Sequence, residues 1–356
     1  MTAPTQQETL NPTTAAVNYT LCADVPGALF ALEDLSQRPL VMLDCEGKTI
    51  GRVNGVLSLL CLGTPDTSET QKIYVFDVPA LKYTAAQSAI AAFLARKDIV
   101  KVVWDGRMDF LEMREVFGVD TAAILDLQIA EVLGRERVLD ETDEGRLARL
   151  AGVFGDVVHR EEYSELFSDM HVIMGMKQAM QTYAPDMPMQ KDVAVEEIHR
   201  SNQSALWLVR PVPSALLLYA VVDIRLIASL LSRMTSLRFL SDDVRSENIL
   251  FAASARYVAR TGLTERMPWV RRTDPHQQHN LLLCDALFTT PTTRSEPCAQ
   301  CKWNLPLTCY ERHGPMRKEH CKICVAGDLK TFADRTKLNS AWIRVAEDDA
   351  RFKNLA

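Results

Sequence analysis

The chain has 356 residues, enough for one large domain or two modest ones, and 47% of them are hydrophobic, enough to bury a core. No apolar run is long and uninterrupted enough for a membrane span, and Met1 to Ala16 is a Thr-, Gln- and Pro-rich stretch without a basic start and apolar follow-on, so neither a membrane anchor nor a signal peptide is expected. The net charge of −6 argues against a generally basic nucleic-acid binder, but it hides an asymmetry: residues 241–356 carry 18 Lys and Arg against 14 Asp and Glu, leaving 22 against 32 for the rest. The nine cysteines are an odd number. With no export signal they argue against a disulfide framework and for a reducing compartment, cytoplasmic or nuclear.

In chain order, Leu40 to Leu43 is a strand candidate that runs straight into Asp44. Val56 to Leu62 and Ile73 to Val78 are further apolar runs of strand length, separated by polar turns, and the three suggest an antiparallel meander. The pattern then alternates: a helix over Ala85 to Ala95, a strand over Ile99 to Val103, a helix over Asp109 to Val116, a strand over Ala122 to Leu125, a helix over Leu127 to Leu133. This order predicts an α/β fold, a mixed sheet flanked by helices. Gly145 to Val153 reads as a helix and residues 155–199 as an insertion. Ser214 to Leu231 reads as a strong helix with Ser214 at its N-cap, and Val244 to Ala259 as another helix.

Asp44-Cys45-Glu46 closes the first strand, and residues two apart on a strand project from one face. Two adjacent carboxylates repel, so such a pair suits a cation, although a lone D-x-E also suits a solvated turn. Asp109 stands where a helix begins, a position that favours an acid even without function, and Asp105 is a rival four residues earlier. Tyr219 and Asp223 lie four apart on one face of the apolar helix, where an acid needs a partner.

The order D-x-E on a first strand, an Asp after a later strand, then Y-x-x-x-D on a helix resembles the DEDD superfamily of 3′→5′ exonucleases in its tyrosine-bearing subclass. Lys101-Val102-Val103-Trp104 followed by Asp109 resembles the second exonuclease motif, Leu125-Asp126-Leu127-Gln128-Ile129-Ala130 the D-x-Q-x-A stretch, and Trp207-Leu208-Val209-Arg210-Pro211 the W-x-x-R-P segment before the third motif. The likeness covers roughly residues 23–240 and is strongest to ribonuclease-D-like members of the eukaryotic group that includes exonuclease domain-containing protein 1 and Egalitarian. It departs at Trp104, where such enzymes often carry His, and at 155–199. It implies a ribonuclease-H-like core and two Mg²⁺ or Mn²⁺ ions. Asp44 would bridge them, Glu46 and Asp223 would complete the ligands of the first ion, Asp109 would hold the second ion and Tyr219 would orient the attacking water near the first. The implied ligand is a single-stranded or 3′-ended nucleic acid; a non-catalytic adaptor on the same fold is the alternative.

Cys298-x2-Cys301 and Cys321-x2-Cys324 have the two-knuckle spacing of a structural zinc site, with Cys309, His313 and His320 as spare ligands. Arg312, Arg317, Lys318 and Lys322 surround the knuckles, either as phosphate contacts or as a solvated face. The expected organisation is a tail over 1–22, an exonuclease domain over 23–240, a helical linker over 241–290 and a zinc-binding module over 291–356 that could also hold a protein partner. A zinc-module interaction protein with an inert N-terminal scaffold is a third reading.

Overall fold

A computed structural model describes residues 18–52, 54–67, 70–186, 204–240, 249–262, 280–288, 294–331 and 340–345. The chain divides into two compact units: 1–140 with 174–270, and 141–173 with 271–356.

In the larger unit the described elements are β1 (Thr20–Cys22), α1 (Val25–Leu35), β2 (Leu40–Lys48), β3 (Val56–Gly63), β4 (Ile73–Asp77), α2 (Val78–Leu81), α3 (Ala85–Leu94), β5 (Val100–Val103), α4 (Arg107–Phe117), β6 (Ile124–Asp126), α5 (Leu127–Arg137), α6 (Met176–Tyr183), α7 (Ser214–Ser236) and α8 (Ile249–Gly262). The six strands form one mixed sheet in the order β1-β4-β3-β2-β5-β6. The β2–β3–β4 meander is antiparallel, and β5 and β6 continue the sheet in parallel beyond β2. Central strands covered on both faces need continuous apolar sequence, and VLSLLCLG in β3 and IYVFD in β4 supply it.

Three local readings change. Thr20–Cys22, assigned to the tail, pairs in parallel with β4 as an edge strand of three residues, too short to leave a periodic signal. β2 continues past Asp44 to Lys48, because Asp44 and Glu46 still pair with Cys61 and Leu59 on β3; the register breaks only after Glu46. There a Cβ on Gly47 would lie 2.1 Å from the Val56 carbonyl oxygen, so only glycine fits. Ser214 is the first residue of α7, not its cap; the cap is Pro213, whose carbonyl accepts from the Leu216 and Leu217 amides.

α7 is long and apolar enough to cross a membrane by length and composition, yet 72% of its most apolar window is buried inside the fold. It packs on β2 and β3. A Cβ on Gly63 would come within 2.4 Å of Ile224 Cγ2, so the missing side chain lets helix and sheet approach closely beside Asp223.

In the smaller unit, Met170–Val172 pairs antiparallel with Leu281–Leu283. Leu150, Val158, Leu166, Phe167 and Met170 share one core with Trp303, Leu305, Tyr310, Ile323 and the buried cysteines. The 155–199 segment and the 241–290 linker are thus each divided. Residues up to 173 and from 271 build this unit, whereas α6 and α8 belong to the larger one, α8 packing on α4 and β6. Residues 187–203, 241–248 and 263–279 lie outside the described residues.

Candidate active site

β2 carries Asp44 and Glu46 in register on one face, and α7 brings Asp223 over that face. One carboxylate oxygen from each lies within 4.8 Å of the others. Glu46 and Asp223 are only 6% and 4% exposed. An octahedral Mg²⁺ with oxygens about 2.0–2.1 Å away sets its ligands roughly 2.9 Å apart when adjacent and 4.2 Å when opposite, so one ion bound by all three would draw these oxygens closer together.

Asp109 stands in the first turn of α4, outside that trio. Its carboxyl is pushed well above the usual range by burial first and by Asp44 next, which places the two acids in one electrostatic neighbourhood. The thiols between the acids feel the same field. Burial pushes Cys61 up, followed by Asp44, Glu46 and Asp223; burial pushes Cys45 up, followed by Asp109 and Asp44. Neither thiol is a nucleophile in this state.

Asp105 is engaged elsewhere. Arg107 clamps it with two bonds, Nε to Oδ1 at 2.5 Å and Nη2 to Oδ2 at 2.8 Å. The same guanidinium lies 4.7 Å from the centroid of the Tyr257 ring on α8. Asp105 has a φ of +57°, a left-handed backbone that Asp tolerates better than most residues. Its loop is held by Asp126, which accepts from the Asp105, Gly106 and Gln128 amides at 3.0–3.1 Å. Gln128 in turn donates to the Met174 carbonyl and accepts from Tyr257. The Asp126 and Gln128 of the D-x-Q-x-A stretch therefore fix the loop that launches α4 and Asp109, a positioning role that pairwise spacing did not reveal.

Burial, followed by the nearby Asp105, pushes Asp126 up to about 7. A raised folded value means that this group's stabilising contribution is complete below about pH 4, its unfolded range, and is lost as pH rises through about 7. We expect Asp126→Asn to flatten that part of the pH dependence, measured by urea unfolding from pH 4 to pH 8. It should also cost about 1–3 kcal/mol, since the amide leaves one buried N–H without its acceptor. An unchanged slope would contradict this role.

The W-x-x-R-P segment anchors the start of α7. Arg210 binds Asp77 through Nε at 2.7 Å and Nη2 at 3.0 Å, and its Nη1 donates to the Trp207 carbonyl. Ser58 on β3 donates to that same carbonyl at 2.5 Å. The Trp207 ring meets Tyr219 edge-on, centroids 6.3 Å apart, and Tyr219 precedes Asp223 by one helical turn. Arg210→Lys keeps the charge but loses the fork, so a stability loss of about 1–3 kcal/mol is expected in thermal or urea denaturation. A variant as stable as the parent would show that the clamp is idle.

In the smaller unit, the sulfurs of Cys298, Cys301, Cys321 and Cys324 all lie within 4.8 Å of one another. Cys298 and Cys324 are 3.8 Å apart, and Cys301 and Cys321 4.0 Å. A tetrahedral zinc with Zn–S of about 2.3 Å requires S···S of about 3.8 Å, so the pocket fits the ion. The Cys321 amide points at the Cys298 sulfur at 3.2 Å, and hydrogen bonds from Cys301, Cys321 and Cys324 favour a thiolate at Cys298. Cys309, His313 and His320 are not in this group. Of the basic residues around the knuckles, Arg317 and Lys322 are buried, whereas Arg312 is exposed and Lys318 half-exposed.

No protein-family model matches the chain, and no curated protein does. Solved structures do. Trypanosoma brucei RNase D matches with a TM-score of 0.52 at 19% identity, over 70% of this chain and 74% of that one. The same enzyme in complex with RNA U12 matches with a TM-score of 0.50 at 18% identity, over 70% and 72%. The chain has the mixed α/β fold of the RNase D nucleases.

Proposed function

We propose that this chain is a metal-dependent 3′→5′ exonuclease of the tyrosine-bearing DEDD subclass, of the kind represented by exonuclease domain-containing protein 1 and Egalitarian. It would remove nucleotides from the 3′ end of RNA or DNA and release nucleoside 5′-monophosphates. The observation that carries this reading is the convergence of Asp44, Glu46 and Asp223, with Asp109 in the same field, on an RNase D-like fold. Asp44, Glu46 and Asp223 would hold one Mg²⁺ or Mn²⁺, and Asp109 with Asp44 a second. When bound, two such ions supply Lewis-acid activation of water and charge neutralisation at the phosphate. Tyr219, one turn before Asp223, would hydrogen-bond and orient the attacking water. Cys298, Cys301, Cys321 and Cys324 would hold a structural Zn²⁺. Residence in the cytoplasm or nucleus is part of this proposal and rests on the odd number of cysteines.

The test incubates 5′-labelled single-stranded RNA, and its DNA equivalent, with the purified protein and Mg²⁺, Mn²⁺ or EDTA. A ladder that shortens only with metal, and vanishes with Asp44→Ala, is the expected result. Binding without shortening on either substrate would replace this reading with the adaptor.

A further inference from the structure

The smaller unit contains a three-stranded antiparallel sheet of Arg312–His313, Met316–Lys318 and Trp342–Arg344. His313 stands opposite Met316, Met316 opposite Arg344, and Lys318 opposite Trp342. Because side chains alternate along a strand, these five share one face, while Arg317 and Ile343 share the other. The Arg317 side is built inward. That residue is 4% exposed, its guanidinium lies 4.4 Å from the Tyr310 ring centroid, and it donates to the Lys318 carbonyl.

The opposite face is built outward. Trp342 is 44% exposed, and His313 and Arg344 are exposed beside it. The His313 and Trp342 rings meet edge-on at 6.3 Å, and the Lys318 ammonium lies 4.5 Å from the indole centroid while donating to the Ser340 carbonyl. Two acids border this sheet: Glu311, whose carbonyl accepts from the Lys318 amide, and Glu319, next to Lys318 in the chain, whose carboxylate accepts from the Ala341 amide. Across 291–356 the sequence carries twelve Lys and Arg against eight Asp and Glu. A held aromatic plane flanked by cations is what a single strand needs: every base has a π-face to stack, and each phosphate takes a cation.

We propose that this face binds single-stranded nucleic acid, with a base stacked on Trp342 and phosphates contacting Lys318 and Arg344. The choice of ligand rests on the nucleic-acid reading above, but the site uses none of the carboxylate residues. The experiment uses full-length, zinc-loaded protein carrying Asp44→Asn to prevent turnover. Fluorescein-labelled 12-nucleotide oligouridylate and oligothymidylate are titrated by anisotropy, so the result does not depend on catalysis. Trp342→Ala should weaken binding roughly 5- to 150-fold, the range for one stacked base, and Trp342→Phe should retain most of it. The double variant K318A and R344A should flatten the plot of log K against log salt by about 1.4, two phosphates on a single strand. Affinity unchanged by Trp342→Ala, or an Asp44→Asn protein that binds neither oligonucleotide, would overturn the proposal. Loss of the shortening ladder with this binding intact would overturn only the catalytic reading.

Discussion

Replacing Asp223 by Asn is expected to lower metal-dependent strand shortening by roughly 10²–10³-fold or more, the scale of losing one preorganised electrostatic contact, while the metal-free protein becomes as stable as the parent or more so. The two effects have one cause. Asp223 is almost fully buried on an apolar helix, and its oxygen lies within 4.8 Å of oxygens from Asp44 and Glu46. Two carboxylates at that separation repel by about 3 kcal/mol at an effective dielectric near 20. Without a cation this repulsion opposes folding; with one it becomes attraction. The parent should therefore gain stability when Mg²⁺ or Mn²⁺ is added, by about 2.7 kcal/mol at one hundred times the dissociation constant. The Asn variant should lose most of that gain. Differential scanning fluorimetry with and without metal reads both arms. A variant that is stabilised by metal as much as the parent, and shortens RNA as fast, would remove Asp223 from the site.

The second large effect concerns zinc. Native mass spectrometry should find one zinc per chain, and chelation or Cys298→Ser should unfold the smaller unit as a whole. Structural zinc contributes on the order of 10–16 kcal/mol in small modules, comparable with the entire stability of a domain. The four cysteines lie in or against the core that also holds Leu150, Val158, Leu166, Phe167 and Met170. Limited proteolysis after zinc removal should therefore open sites within 141–173 together with sites within 294–331, although the two stretches are far apart in sequence. Hydrogen exchange in β2 to β5 should not change, because those strands belong to the other unit. Protection of 141–173 that persists in zinc-free protein would refute the shared core. Absence of zinc from protein purified without chelator would refute the site.

Much of the larger unit is legible in the sequence. Alternation and continuous apolar runs identify β2 to β5, and helical spacing identifies α3, α4, α5 and α7, because each depends on residues close along the chain. The D-x-E pair and the Tyr219–Asp223 spacing are local in the same way: one strand face and one helical turn place their side chains together. Thr20–Cys22 escaped because an edge strand of three residues is defined by its partner β4, not by its own pattern.

Which charged group answers which was settled only in three dimensions. The sequence prefers Asp109 to Asp105 only through its motif spacing from Trp104; in the fold Arg107 and Asp126 engage the Asp105 side chain and backbone, whereas Asp109 is buried in the first turn of α4, where burial and then Asp44 push its carboxyl up. Arg317 and Lys318 are neighbours in sequence, yet one is buried on Tyr310 and the other lies against Trp342, because a strand sends adjacent side chains to opposite faces. The C-x-x-C spacing shows that a metal pocket is available, while the partnership of 141–173 with the cysteine-rich segment is invisible in either stretch. Local pattern is written in nearest neighbours, whereas a core built from two distant segments and the pairing of buried charges depend on non-local contacts, which exist only once the chain has folded.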